Sequence, residues 1–512
     1  MIHDLAAGGR DAFAAPADVC VVGAGPAGIT VARRLAAKGA DVVLMEGGGL
    51  EISADSQELY EGEIAGLPYF PLDVTRLRYF GGSSGHWAGW CREMPASDFD
   101  PRPGDPWSGW PIGKADLDPY QAETDAVLDL PPAADYPYFE IAQAAPNYRG
   151  MHMRHSSPPT RFGEKYRDEI AASDRIRLGL NANLVDLRLD DAGAVEAAVF
   201  RSHDPGAPEL AVSARLFVLC LGGLETPRAL LNANRQRSAG LGNGHDLVGR
   251  FFAEHPHYVL GEVLLEAPLE HVISVTPTPR MQAEHGILNY ALVVLPLRLE
   301  EPLLLHKEII RSVPCALDFT ERLAEEVLGR SLYCEGRGIG GYLERRRERA
   351  EILADPRSEL LIRSEQALNF DSRVGLAEDR DRFGLRRIAL DWRLSEIDYV
   401  TMRTAATTFG AHLAEQEIGR LKLADWLRAE DPQVPPYPEE ETGGHHHLCT
   451  TRMADDPRRG VVDRNCRVHE VPNLYIGGSN TFATAGWTNP TYTIVQLALR
   501  LGDHLGAELG KT

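Results

Sequence analysis

The chain has 512 residues, of which 44% are hydrophobic and 25% are charged, values typical of a soluble globular protein. Because this length exceeds that of one ordinary hydrophobic core, we expect two domains. The formal net charge of −21 argues against a nucleic-acid partner, whose phosphates would be repelled.

Cysteine usage favours a reducing compartment, and hydropathy argues against a membrane span. The seven cysteines are an odd number scattered singly along the chain, which favours free thiols over a disulfide framework or a metal site. No apolar run approaches the ~20 residues needed to span a bilayer. The N-terminal segment has neither a secretory nor a twin-arginine pattern, so the expected location is the cytoplasm.

A strand, a glycine-rich turn and a helix are predicted near the start of the chain. The apolar run Val19 to Val22 is typical of a strand buried on both faces, and a G-x-G-x-x-G pattern follows it directly. Gly23 permits the tight turn, Gly25 lets main chain approach a pyrophosphate, and Gly28 lets the helix pack close to the sheet.

The same unit continues into a second strand. The helix is predicted to end at Gly39, and the strand spans Asp41 to Met45. Glu46 then stands eighteen residues beyond Gly28, where a carboxylate can accept both hydroxyls of an adenosine ribose. The residues predicted to contact a dinucleotide here are Gly23, Gly25, Pro26, Ala27, Gly28, Glu46 and Gly47.

A second small-residue motif, GGSSG, lies between aromatic residues in the segment Arg78 to Arg92. Such residues can bring main chain against a flat ligand. A Pro-rich and Trp-rich loop follows and leads into a helix predicted near Leu117 to Leu128. Residues 129–172 lack periodicity, and we expect them to cover another part of the molecule.

From Ile176 the pattern predicts strands again, with a turn at Asp190 to Gly193 and a buried strand at Leu216 to Leu219. A helix is predicted to follow, with Thr226 as its N-cap and Pro227 at its first position. This second crossover either faces a ligand or is α/β scaffolding alone.

Residues 256–435 favour an antiparallel sheet and helices. Strands are predicted at Val259 to Leu265, Asn289 to Val294 and Arg387 to Trp392, and a helix is predicted at Tyr399 to Gly410. An Arg/Glu-rich stretch within residues 323–355 is typical of a solvated helix face. A Pro-rich linker ends near residue 444.

The last seventy residues contain the candidate chemistry. Three consecutive histidines occupy positions 445–447, and a strand at Asn473 to Ile476 leads into a Gly-Gly-Ser turn. Asn489 as a cap and Pro490 just inside predict the start of an amphipathic helix, whose positive end suits an anion.

These motifs resemble the glucose-methanol-choline (GMC) oxidoreductases, which bind FAD and oxidise alcohols, and within them the bacterial pyranose-oxidase-like, sugar-oxidising branch. The matching segments are the nucleotide motif, GGSSGHW, LGGLETPR, VGRFFAEHP, SEQALNFDSRVGL and the C-terminal block. The resemblance spans nearly the whole chain and is weakest in the middle of the substrate region.

The resemblance implies a catalytic base in an H-x-x-G-T pattern and a partner residue that begins the final helix. His446 takes the first role, since Thr450 lies four residues on, and Asn489 takes the second. Cys449 stands where the family has Gly, and the histidine run leaves His447 as the alternative base. An imidazole can take the hydroxyl proton as hydride leaves the carbon.

The resemblance also implies further FAD contacts. They are Gly81, Gly82, Ser83, His86, Trp87, Val185, Gly222, Gly478, Ser479, Asn489, Pro490 and Thr491. In the related branch a histidine at the position of His86 can be joined covalently to the flavin, but noncovalent packing is the expectation here. His255, in Glu-His-Pro, is expected to be structural.

The predicted fold class is α/β. A discontinuous, doubly wound FAD-binding domain comprises residues 1–100, 173–256 and 440–512, a covering segment comprises 101–172, and a substrate domain with an antiparallel sheet and helices comprises 257–439. The implied substrate is a sugar, glycoside or polyol, and the acceptor is oxygen, a quinone or a redox protein. The alternatives are an FAD-containing lyase and the flavin subunit of an electron-transferring complex.

Overall fold

The computed structural model describes residues 1–102, 105–139, 146–204, 206–267, 273–296, 356–435 and 444–510. The strands, in chain order, are β1 (Ile2–Asp4), β2 (Ala17–Val22), β3 (Val42–Met45), β4 (Gly62–Ile64), β5 (Trp90–Cys91), β6 (Tyr148–Gly150), β7 (Arg154–His155), β8 (Ile176–Leu180), β9 (Asn183–Leu189), β10 (Val195–Arg201), β11 (Leu210–Val212), β12 (Ala214–Leu219), β13 (His257–Leu265), β14 (Ile273–Pro277), β15 (Tyr290–Pro296), β16 (Arg357–Ser364), β17 (Arg373–Arg380), β18 (Arg386–Asp391), β19 (Gly419–Leu423) and β20 (Leu474–Ile476). The α-helices are α1 (Pro26–Ala37), α2 (Ala54–Gln57), α3 (Gln121–Val127), α4 (Phe162–Lys165), α5 (Arg167–Ala172), α6 (Gly222–Asn232), α7 (Pro279–His285), α8 (Glu396–Glu415), α9 (Asp425–Arg428) and α10 (Thr491–Glu508).

The apolar strands of the first and last parts of the chain form one parallel sheet, in the order β1-β8-β3-β2-β12-β20. Apart from β1 at one edge, the chain order runs outward from β2 on both sides, through β3 and β8 and through β12 and β20, so β2 and β12 flank the switch point. In doubly wound sheets, ligands bind at the carboxyl ends of the strands at that point. The predicted fold class is confirmed, and the glycine turn after β2 lies at this edge.

Helices α1 and α10 pack against each other beside the parallel sheet. Gly502 in α10 allows the close approach, because a Cβ there would lie 2.7 Å from the Arg34 side chain. The same arginine forms an ion pair with Asp503, with 2.7 Å between Nε and Oδ1. The first and last segments of the chain therefore share one core.

A second sheet is antiparallel throughout, in the order β19-β13-β16-β15-β14-β6. Its buried side chains and one face of α8, including Met402 and Phe409, form a separate hydrophobic cluster. The strands predicted at Val259 to Leu265 and Asn289 to Val294 correspond to β13 and β15. Strand β6, from the segment predicted to be a covering excursion, extends this sheet.

The start of α6 differs from the sequence prediction. The helix begins at Gly222, so Thr226 and Pro227 lie inside it and form no N-terminal cap. A proline inside a helix leaves the carbonyl four residues earlier without its usual donor. Here that carbonyl, of Gly223, accepts a hydrogen bond from Thr450 Oγ1 at 2.7 Å. A contact from the C-terminal part of the chain thus accommodates the proline.

The start of α10 also differs by one residue. Pro490 immediately precedes the first helical residue, Thr491, and no side chain caps this end. Asn489 is therefore not the N-cap, and its side-chain amide does not cap this helix. The Arg/Glu-rich stretch predicted as a solvated helix lies, up to residue 355, outside the described residues.

The cysteines at positions 20, 91, 220, 449 and 466 are buried free thiols. Within the described part of the chain, no helix combines the length and apolar character that crossing a membrane requires.

Candidate active site

The three glycines of the turn after β2 serve different purposes. Gly23 has a φ of +100°, and a Cβ at Gly23 or at Gly28 would lie under 3.0 Å from main-chain atoms of the protein itself. Gly25 has a φ of −85°, and a Cβ there would meet no atom within 4 Å. The protein's own packing requires the first and third glycines, whereas the second leaves main chain bare toward open space, as an approaching pyrophosphate requires.

Glu46 lies at the end of β3 and its carboxylate faces the glycine turn. The side chain is 6% exposed, with Oε2 accepting from the Ala24 N–H at 2.8 Å and Oε1 accepting from the Gly48 N–H at 2.9 Å. Burial raises the pKa of this carboxyl. Each carboxylate oxygen has a second lone pair, so the group can still accept hydrogen bonds from ribose hydroxyls.

The GGSSG segment packs directly on the glycine turn. The N–H of Gly81 donates to the Ala24 carbonyl at 2.8 Å, and a Cβ at Gly82 would lie 3.1 Å from Gly25 Cα. Small residues on both sides make this contact between two main-chain segments sterically feasible. The two motifs predicted separately from the sequence therefore form one surface.

Neighbouring side chains of this segment hold it in place. Ser83 Oγ accepts from the Leu77 N–H at 3.1 Å, and Trp87 Nε1 donates to the Thr160 carbonyl at 2.8 Å. His86 is exposed to solvent. The predicted FAD contacts at Ser83 and Trp87 thus also have structural partners.

Two further turns lie at the same edge of the parallel sheet. Gly222 follows β12 with a φ of +80°, and a Cβ there would meet no atom within 4 Å. Gly478 follows β20 with a φ of +126°, and Ser479 Oγ donates to the His447 carbonyl at 2.7 Å. Three turns therefore lie at the edge of the sheet where a dinucleotide is expected. Val185 lies in β9 and is buried.

The histidine segment is held against the residues that precede β13. Main-chain hydrogen bonds join Leu448 and Ala253 in both directions, at 3.0 and 3.2 Å. The N–H of His446 donates to the buried carboxylate of Glu254, at 2.8 Å to Oε1 and 3.0 Å to Oε2. These contacts fix the main chain on which the predicted base is mounted.

The ring of His446 is hydrogen-bonded to a second histidine. Its Nδ1 lies 2.8 Å from His255 Nδ1, and His255 Nε2 lies 3.3 Å from the Ala485 carbonyl oxygen. Burial, followed by the charges of His255 and of the other nearby histidines, holds the pKa of His446 well below its usual value. The imidazole is therefore neutral at neutral pH and able to accept a proton.

His447 has mainly structural partners. Its Nε2 lies 3.1 Å from the Tyr69 hydroxyl, and that hydroxyl donates to Glu254. A Cβ at Gly223 would clash with the His447 carbonyl, so α6 and the histidine segment are in close contact. Both the ring and the main-chain carbonyl of His447, the alternative base, therefore contact other residues in the protein interior.

Asn489 is partly buried and lies two residues before α10. The hydrogen bonds of the described residues join His446 to His255 and Glu254, and none joins it to Asn489. The link from His446 to this part of the chain runs through His255, which contacts the Ala485 carbonyl oxygen four residues before Asn489.

Cys449, at the family's glycine position, has a φ of +66°, in the left-handed region. Its N–H donates to the Ser479 carbonyl at 3.1 Å. Glycine is favoured at such a φ, and a cysteine there carries conformational strain. The main chain at Cys449 nevertheless has the left-handed conformation that glycine favours.

The sequence interpretation did not foresee that Glu254, His255 and Tyr69 contact the histidine segment. Glu254 and His255 are 0% and 1% exposed, although both are ionisable. The available signal was the tripeptide Glu-His-Pro ahead of a predicted strand, since buried ionisable residues need partners.

Replacing Glu254 by Gln should flatten the dependence of stability on pH. Burial raises the pKa of Glu254 from 4.5 to about 7. The folded protein therefore binds a proton that the unfolded chain releases between these values, and the free energy of unfolding falls as pH rises through this window, by about 3 kcal/mol from this group. Urea unfolding of wild type and E254Q at pH 5 and pH 7.5 measures the difference, and an unchanged slope in the variant would contradict the assignment.

Comparison with known proteins agrees with this architecture. Residues 369–498 match the family model described as GMC oxidoreductase. The 2-methyl-1,2-propanediol dehydrogenase of Mycolicibacterium austroafricanum is 24% identical, over 95% of this chain and 95% of that protein. The 6'''-hydroxyparomomycin C oxidase of Streptomyces lividus is 23% identical, over 96% of this chain and 92% of that protein.

The fructose dehydrogenase large subunit of Gluconobacter japonicus is 25% identical over 67% of this chain, and the match spans only 57% of that protein. Among solved structures, pyridoxine 4-oxidase from Mesorbium loti has a TM-score of 0.58 at 16% identity, covering 95% of this chain and 99% of that chain. This likeness shows the shared fold.

Residues 369–498 therefore match a GMC oxidoreductase domain, and the similarity of nearly the whole chain to a dehydrogenase and an oxidase agrees with an FAD-dependent oxidoreductase. The geometry fits this cofactor, since a bare glycine turn, a buried carboxylate at the end of β3 and the open turn at Gly222 meet at one edge of the sheet.

Proposed function

We propose that this enzyme oxidises a hydroxyl-bearing carbon to a carbonyl, with His446 as the base that takes the hydroxyl proton. The observation that carries the proposal is an imidazole whose Nδ1 is occupied by His255, in a residue that is partly exposed. Its Nε2 makes no hydrogen bond to the described residues, so it is the nitrogen left for a substrate hydroxyl.

Each residue contributes through an elementary step. His446 Nε2 accepts the hydroxyl proton, which raises the electron density on the carbon and favours loss of its hydride. The Asn489 amide orients the same hydroxyl without competing for the proton. Bound FAD supplies the hydride acceptor. General-base assistance of this kind is typically worth ~10²- to 10⁴-fold in rate.

The proposed cofactor site combines the three turns at the sheet edge. Gly25 and Gly82 would admit the pyrophosphate, Glu46 would accept hydrogen bonds from the ribose, and the segment Gly478 to Thr491 would border the flavin. We assign the parallel sheet to the FAD-binding domain and the antiparallel sheet to the substrate domain, with the boundaries predicted from the sequence. His86 would pack near bound FAD without a covalent bond to it.

The proposed substrates are sugars, glycosides and polyols. Three similar proteins support this proposal: a propanediol dehydrogenase, a fructose dehydrogenase large subunit and an oxidase of a hydroxyparomomycin. We propose oxygen, a quinone or a redox protein as the electron acceptor.

Anaerobic mixing of the holoenzyme with a panel of sugars, glycosides and diols tests the function. At least one member should bleach the flavin absorbance near 450 nm, and the product should contain the corresponding carbonyl. If a panel member is consumed while the flavin spectrum stays unchanged, the protein acts as a lyase; if no member is consumed, alcohol oxidation in this substrate class is refuted.

A further inference from the structure

The contact between His446 and His255 determines which nitrogen of the base is free. The Ala485 carbonyl can only accept a hydrogen bond, so His255 Nε2, 3.3 Å away, must carry a hydrogen. Burial lowers the pKa of His255 to about 4, so its ring is neutral at neutral pH. A neutral imidazole has one N–H, and His255 Nδ1 is therefore an acceptor.

The same reasoning extends one ring further. His255 Nδ1 accepts across the 2.8 Å contact, so His446 Nδ1 must be the donor and carry the hydrogen. A neutral His446 then has its lone pair on Nε2, the nitrogen that makes no hydrogen bond to the described residues. Two donor–acceptor steps from one main-chain carbonyl thus place the basic lone pair on the ring nitrogen that faces away from His255.

We propose that His255 is a positioning residue that fixes the tautomer of His446 and, with the Ala485 carbonyl, sets the orientation of its ring. This inference deepens the proposed function and rests on it. When the substrate proton arrives at Nε2, His446 becomes an imidazolium with a hydrogen on each nitrogen, and its Nδ1–H bond to His255 becomes charge-assisted and stronger. Bound FAD would supply the acceptor for the hydride, so the alcohol would lose one proton and one hydride and the charges would balance.

The choice of a histidine for this position has a specific consequence. A carboxylate in the same place would favour the imidazolium before substrate binds, because an opposite charge stabilises it. A neutral imidazole accepts the same hydrogen bond without that charge. The base is therefore oriented and yet kept unprotonated at neutral pH, within a cluster that includes His257, His445, His447 and Glu254.

Two substitutions of His255 separate this role from a structural one. In His255→Asn the side-chain carbonyl can occupy the place of Nδ1 and still accept from His446. In His255→Gln the amide nitrogen can occupy the place of Nε2 and still donate to Ala485, but no acceptor remains at the Nδ1 position. Both variants are polar and smaller than histidine, so they are matched controls for each other.

The experiment is anaerobic stopped-flow reduction of the FAD holoenzyme by an alcohol that reduces wild type. We expect His255→Asn to be reduced within about tenfold of the wild-type rate and His255→Gln to be slower than His255→Asn by tenfold to a hundredfold. The substrate dissociation constant, from the concentration dependence of the rate, should be unchanged in both, and the ratio of FAD to protein should stay near one.

Equal rates in the two variants would overturn the inference, because the acceptor at the Nδ1 position would then have no effect. A faster His255→Gln would also overturn it, because a residue that merely supports the Ala485 carbonyl favours glutamine. If either variant lacks FAD, the bound fraction is compared after reconstitution, and loss of FAD by both variants also overturns it. If no alcohol reduces wild type, the proposed function fails, and that result is distinct from a reversed order of the variants.

Discussion

Replacing His446 by Asn should lower the rate constant for flavin reduction by ~10²- to 10⁴-fold while FAD stays bound. The expectation follows from the geometry, since asparagine can keep a hydrogen bond to a substrate hydroxyl but cannot take its proton. Stopped-flow reduction under anaerobic conditions measures the rate directly, and the visible spectrum of the purified variant reports its flavin content.

The adjacent His447 provides the matched control. Its buried ring contacts the Tyr69 hydroxyl, so His447→Asn should lower the melting temperature and leave the reduction rate within about tenfold of wild type. A larger loss of rate in His447→Asn than in His446→Asn would move the base by one position. Equal, small losses in both would remove the histidine segment from the chemistry.

Replacing Gly25 by Ala should weaken FAD binding by at least about tenfold, equivalent to ~1.4 kcal/mol, without destabilising the apoprotein. The φ of −85° at this position is acceptable to alanine, and its Cβ meets no protein atom within 4 Å. The methyl group would instead occupy the space through which a pyrophosphate approaches the main chain. Titration of apoprotein with FAD, followed by flavin fluorescence, gives the affinity.

Gly28→Ala is the contrasting variant. Its Cβ would lie under 3.0 Å from the Gly23 carbonyl, so the apoprotein itself should lose about 1–3 kcal/mol in urea unfolding. Gly25→Ala should unfold at the wild-type urea concentration. Unchanged FAD affinity in Gly25→Ala would show that the cofactor does not pass over this turn.

Local sequence signals predicted the nucleotide-binding unit closely. The strand predicted from Val19 is β2, which begins two residues earlier, and the strand predicted from Asp41 is β3, which begins one residue later. The glycines, the apolar period and the terminal acid lie within thirty residues, so short-range rules are sufficient there.

Predictions that depended on distant contacts were wrong or incomplete. Proline normally marks a helix start, but α6 tolerates Pro227 because Thr450, 227 residues beyond Gly223 in the chain, supplies the missing donor to the Gly223 carbonyl. No local pattern contains that information. The start of α10 was misplaced by only one residue, which is within the usual uncertainty of helix ends.

The site was predicted in part. The family pattern identified His446 and Asn489, whose roles as base and partner stay predictions. The pairing of His446 with His255 was not foreseen, because it joins positions 191 residues apart. A single sequence shows which residue types are present, but not which of them are brought together by separate sheets.

The Glu254 carboxylate connects three distant parts of the chain. It accepts from Tyr69, 185 residues away, and from the main chain of His446, 192 residues away. Such pairings form only after the intervening chain has collapsed and its loops have closed, and they contribute late rather than early in folding. Recovery of turnover during refolding therefore reports the completion of the native topology, whereas the return of helical circular dichroism reports only its beginning.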